Sequence, residues 1–202
     1  MALFSRLFLL PALLAFAACS PAGETSLEGD WTLDTGQTSL QFITVKASDI
    51  IEVHHFGELS GAVSADGAAE VSIPLDTVST NIDIRDERMR DFLFETETYS
   101  TATISATLAP ETFSALSSGE TLVMPIELTV DLHGVSDVIE TELAVTRLGP
   151  DKVMVATTAP IIVDGYTFEL DEGIEHLREL ANLPSITSSV PVTFSLVFER
   201  LG

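Results

Sequence analysis

The chain is poor in cysteine, in cations and in long apolar runs. Among its 202 residues Cys19 is the one cysteine, so no disulfide forms within the chain and no thiolate cluster exists for zinc or an iron–sulfur centre. Lys and Arg number 9 against 31 Asp and Glu, a net charge of −22. Phosphate binding needs a dense cationic face, so nucleic acid is excluded as the main partner. No segment reaches the ~18 consecutive apolar residues of a membrane-spanning helix. Also missing are a Gly-x-Ser-x-Gly elbow, a phosphate-cradling P-loop and a dinucleotide fingerprint, so nothing motivates catalysis. What is present suits one folded domain: 46% hydrophobic and 20% charged residues are too apolar for an acidic disordered chain.

The amino terminus reads as an address. Arg6 precedes an apolar stretch over residues 7–18, and the small residues Ala17 and Ala18 come directly before Cys19. This is the pattern of a secretory signal over 1–18. Phe16-Ala17-Ala18-Cys19 resembles the bacterial lipobox, in which the cysteine becomes the lipidated first residue of the mature chain, with Phe16 where Leu is usual. Plain cleavage that leaves Cys19 unmodified is the alternative. Residues 19–29 are polar and turn-rich and read as a tether of roughly 17 Å coil length. The expectation is a periplasmic or outer-membrane-anchored protein of the bacterial envelope, held by an N-terminal lipid because its acidic body is repelled by anionic headgroups.

From Trp31 onward the dominant period is two. Residues 69–77, 101–108, 122–133 and 192–198 alternate apolar with polar, and 38–46, 50–56, 59–64, 138–146 and 152–163 are weaker strands. Eight or nine half-buried strands over 30–202 predict an all-β barrel or two-sheet sandwich. Helical spacing breaks the pattern over 86–94 and 171–183, where Pro184 stops the second helix. That helix either plugs one end of a barrel or gates a ligand mouth.

Four local motifs carry a family resemblance. Trp31-Thr32-Leu33-Asp34 with Thr38-Ser39-Leu40-Gln41-Phe42, and then Phe56-Gly57-Glu58-Leu59-Ser60-Gly61, resemble the opening of the YceI-like lipid/polyisoprenoid-binding family. Ser79-Thr80-Asn81, Arg85-Asp86 and Met89-Arg90-Asp91-Phe92-Leu93-Phe94 are similar to its central signature, and Leu132-His133-Gly134-Val135 to a strand-end motif. The chain departs from that signature at Arg88 or Met89, where His is common, and at Asp83-Ile84. The resemblance implies a lipocalin-like antiparallel β-barrel of about eight strands with one or two short helices. It also implies an apolar tunnel for a long isoprenoid or a quinone, and no catalysis.

The inward positions Ile73, Ile104, Met124, Leu128, Val130, Phe194 and Leu196 are the expected tunnel lining, with Ala102 and Ala106 leaving volume unfilled. Arg85, Arg88 and Arg90 crowd into six positions. Arg85 and Arg88 are candidate headgroup contacts, against local pairing with Asp86, Glu87 and Asp91. His54 and His55 are strand neighbours and point to opposite faces, so they do not converge on a metal. His133 is read as a structural histidine, and His176 as part of an exposed helix face. Two rival functions stand beside lipid carriage: an envelope interaction module with a solid core, and a lipid-modifying enzyme using His133. Whether two barrels associate as a homodimer is open at this stage. Metabolic labelling with a palmitate analogue is expected to mark the mature protein, and Cys19→Ala to abolish the label.

Overall fold

The computed structural model describes residues 27–202, so the expected signal segment, Cys19 and most of the tether lie outside the described residues. Twelve strands form a single sheet in which every pairing is antiparallel, and most are fragments of eight longer staves. β1 (Trp31–Leu33) and β2 (Ser39–Lys46) are the first stave, and β3 (Ile50–Phe56) and β4 (Ser60–Val63) the second. β5 (Ala68–Pro74) and β6 (Val78–Ser79), joined by a 3-10 turn at Leu75–Thr77, are the third. β7 (Thr101–Thr107), β8 (Thr121–Leu132) and β9 (Val135–Gly149) are unbroken. β10 (Lys152–Thr157) and β11 (Ile161–Asp164) make the seventh, and β12 (Ser189–Arg200) the eighth.

β12 closes the ring. One edge pairs with β10 and β11, setting Leu196 opposite Val155 and Val192 opposite Ile161. Its other edge pairs with β1 and β2, setting Phe198 opposite Leu33 and Val192 opposite Phe42. The predicted strands are present, some longer than expected, as β9 and β12 are, and two of them interrupted. The expected strand over 152–163 divides at Pro160, which has no N–H to give a ladder, and the one over 69–77 ends at Pro74 and turns.

β7 and β8 pair only through Thr103–Ser105 and Thr129–Asp131, so β8 runs unpaired on that side toward Thr121. Pro125 sits in this splayed stretch. β8 and β9 are joined by the two-residue turn His133-Gly134, both with positive φ (53° and 78°), as a tight hairpin matching strand twist requires. At the far end of β9, Arg147 is buried and donates hydrogen bonds to the Leu116 carbonyl at 2.9 Å and the Gly149 carbonyl at 3.1 Å.

Two helical pieces cap the other end. The expected helix over 86–94 is α1 (Asp83–Arg88) running into a π-helical turn at Met89–Leu93, closed by the Phe94 N–H to the Met89 carbonyl. α2 (Asp171–Leu180) lies directly on that turn. Gly173 makes the close approach possible: a Cβ there would stand 2.4 Å from the Phe92 carbonyl oxygen and 2.8 Å from Leu93 Cα. Gly173→Ala is therefore expected to lift α2 and weaken the cap by about 1–3 kcal/mol. Hydrogen exchange checks this: amides of α2 and the π-helical turn exchange faster, while the β8–β9 ladder keeps its protection.

Candidate functional site

The inner faces of the staves enclose hollow space. A cavity of about 280 Å³ lies between the cap and mid-barrel, and one of about 150 Å³ lies behind the splayed β7–β8 ladder. Ile104, Leu128 and Phe194 line both, so the two meet across a single tier of side chains. Of the other sequence-predicted lining residues, Ile73 and Val130 face the larger cavity, and Met124 and Leu196 the smaller. Ala106 also lines the smaller cavity, and Ala102 the larger. A solid core, the premise of the interaction-module alternative, is not what the interior holds.

One wall of the larger cavity grades in polarity. Alternation on β2 points Leu40, Phe42, Thr44 and Lys46 inward, and on β3 Phe56, His54 and Glu52. Register sets Phe42 opposite His54 and Thr44 opposite Glu52, so the wall passes from rings, through a hydroxyl and an imidazole, to an ion pair. His54 is buried, its Nε2 lies 2.9 Å from Thr44 Oγ1, and its Nδ1 has no hydrogen-bond partner among the described residues. His55 is exposed on the opposite face.

At the polar end Glu52 Oε2 receives Lys46 Nζ at 2.6 Å and Arg85 Nη1 at 2.7 Å. Burial pushes the Glu52 carboxyl up, but these two cations outweigh it and hold it below the usual carboxylate value. Arg85 is fully engaged: its Nε donates to Thr80 Oγ1 at 2.8 Å and its Nη2 to the Thr80 carbonyl at 2.9 Å. The buried Asp86 carboxylate accepts from the Thr80 N–H at 2.8 Å and from its hydroxyl. The Ser79-Thr80-Asn81 and Arg85-Asp86 motifs are thus two halves of one knot, turned at Asn81 with φ of 62°.

For Arg85 this replaces the local pairing with Asp86, Glu87 and Asp91 that stands as the alternative to a headgroup contact. Arg85 reaches across to β3 instead, because Asp86 is consumed by Thr80. Arg88 lines the larger cavity and has no ion pair among the described residues. The site residues missed in the sequence are Thr44, Glu52 and His54. Their signal was polar side chains on the inward parity of β2 and β3.

The remaining histidines stand elsewhere. His133 Nε2 lies 2.9 Å from Glu95 Oε2 and its ring packs on Tyr99 at 4.3 Å, clasping the β8–β9 turn to the loop before β7. Neither His133 nor Glu95 lines either of these two cavities. His176 is exposed and meets Phe92 edge-on at 4.6 Å.

Burial lowers the His54 pKa below the ordinary imidazole value of about 6.5, and the positive charge of Arg85 adds to this. A base depressed in the folded state binds fewer protons there than in the unfolded chain. Its stabilising share is thus whole above about pH 6.5 and is lost as the pH falls toward the folded value. Thermal melts are expected to drop between neutral pH and pH 5, and His54→Gln to flatten that drop.

The profile of the YceI-like domain matches residues 31–198. A polyisoprenoid-binding domain from Saccharophagus degradans is 40% identical with a TM-score of 0.83, over 85% of this chain and 98% of that one. BcnA of Burkholderia cenocepacia shares the fold at 14% identity and TM-score 0.63, over 82% of this chain and 98% of that one. The YceI protein of Campylobacter jejuni shares it at 13% identity and TM-score 0.53, over 74% and 85%. No curated protein sequence matches the chain. With its closed eight-stave barrel and the profile spanning nearly all of it, the chain belongs to the YceI-like family.

Proposed function

We propose that the protein binds and carries a long-chain isoprenoid or related lipid, a polyprenyl species or a quinone, without catalysing a reaction. The observation that carries this reading is a hollow apolar barrel interior whose wall turns polar at one end. The 40% identical domain being a polyisoprenoid-binding one supports the ligand class. The tail occupies both cavities, against Ile73, Ile104, Met124, Leu128, Val130, Phe194 and Leu196. Each buried methylene contributes about 0.8 kcal/mol, so ten carbons outweigh several kcal/mol of lost freedom.

The head lies at the Thr44–Glu52 end. Arg88 meets it directly and Arg85, engaged by Thr80 and Glu52, positions the knot beside it. Shielding the tail from water is the whole mechanism. In this reading residues 1–18 direct export, a lipid on Cys19 anchors the carrier in the envelope, and the tether lets the barrel approach a membrane.

Gentle purification, organic extraction and mass spectrometry are expected to find a long-chain lipid at near-stoichiometric level. Protein that stays lipid-free when expressed in its own envelope rejects the proposal. Ala106→Phe, which fills the smaller cavity, is expected to lower lipid occupancy severalfold while the far-ultraviolet circular dichroism spectrum is kept.

A further inference from the structure

The polar end of the larger cavity opens to solvent: Lys46, Glu52 and Arg85 keep 24%, 28% and 23% of their side-chain surface exposed. Three segments form its rim, and an ion pair and backbone hydrogen bonds hold them together. The β2–β3 hairpin joins α1 through Glu52 and Arg85. It joins the chain after α2 through the Ala47 N–H to the Ser185 carbonyl, 2.9 Å, and the Lys46–Ile186 bridge.

Around this opening stand exposed aliphatic side chains. Ile50, Ile51 and Val53 project from the hairpin, Ile82 and Ile84 from the start of α1, and Leu180 from the end of α2. Ile51 is 66% exposed. The outward positions of β7, by contrast, are Thr101, Thr103, Ser105 and Thr107.

We infer that this rim docks on the surface of a net-neutral phospholipid bilayer, so that lipid passes between bilayer and barrel without crossing water; the inference rests on the lipid-binding reading above. Two features select the partner. First, the six side chains are aliphatic and stand at the mouth of the apolar cavity, so the surface that supplies a lipid ligand is the one that meets them. Exposed aliphatic side chains of this kind bury into the headgroup–acyl boundary. Second, the exposed carboxylates of Asp49, Asp83 and Glu87 lie among them and the whole chain carries −22, so a strongly anionic surface is disfavoured.

The test uses the full chain with Cys19→Ala, to remove any acyl anchor, with and without the pair Ile51→Glu and Ile84→Glu. Phosphatidylcholine vesicles carry a fluorescent polyprenol, and flotation and transfer to acceptor vesicles are read beside loading from detergent micelles. The unaltered rim is expected to float with vesicles. The double variant loses flotation and transfers roughly a hundredfold more slowly, since each of the two buried isoleucines is worth about a factor of ten or more. Loading from micelles stays equal. A double variant that floats and transfers like the unaltered protein overturns the inference. So does a dimer that the substitutions split while vesicle binding is absent, because a second copy then covers the rim. If neither protein loads from micelles, the lipid-binding reading fails, and flotation alone still decides docking.

Discussion

Closure of the sheet on β12 is the constraint from which the other features follow. Its two edges hold β10 and β11 on one side and β1 and β2 on the other, so every stave has two neighbours and one face is removed from water. A closed ring of eight staves is near the size at which side chains either fill the centre or leave room for one ligand. Here Ala102 and Ala106 face inward where larger residues would meet across the axis, and the interior stays hollow.

The same closure makes the breaks in the staves useful. Where β5 turns aside at Leu75–Thr77 and β6 is only two residues long, the ring needs another cover, and the α1 segment supplies it. The Thr80–Arg85–Asp86 knot fixes that segment to β3, and α2 seals it through the contact at Gly173. In this chain the segment that resembles the central signature is therefore chiefly a fastening device. Arg85 spends its donors on structure, and the guanidinium left beside the cavity is that of Arg88. His133-Gly134 is likewise a hairpin turn whose conformation the motif dictates.

Much of the barrel is legible in the sequence because period-two alternation reports directly which side of a strand is dry. Ile104, Leu128 and Phe194 could be placed inward from parity alone. The same rule applied to 38–46 and 50–56 would have placed Thr44, Glu52 and His54 inside, but polar residues on an inner face look like noise until their partners are known. The partners of Arg85 were illegible for another reason: Glu52 is 33 residues away in sequence, and local carboxylates were the nearer guess. The prolines at 74 and 160 are plain in the sequence, though not as the places where a stave loses one of its two partners.

The sequence by itself determined the all-β class, the inward-facing positions, the two helical interruptions and the family, since these depend on local periodicity and contiguous motifs. Tertiary structure alone decided that the interior is hollow, that its wall grades toward Lys46 and Glu52, and which arginine is engaged. Volume, register and ion pairing are properties of staves brought together from distant parts of the chain, and no local pattern encodes the distance between them.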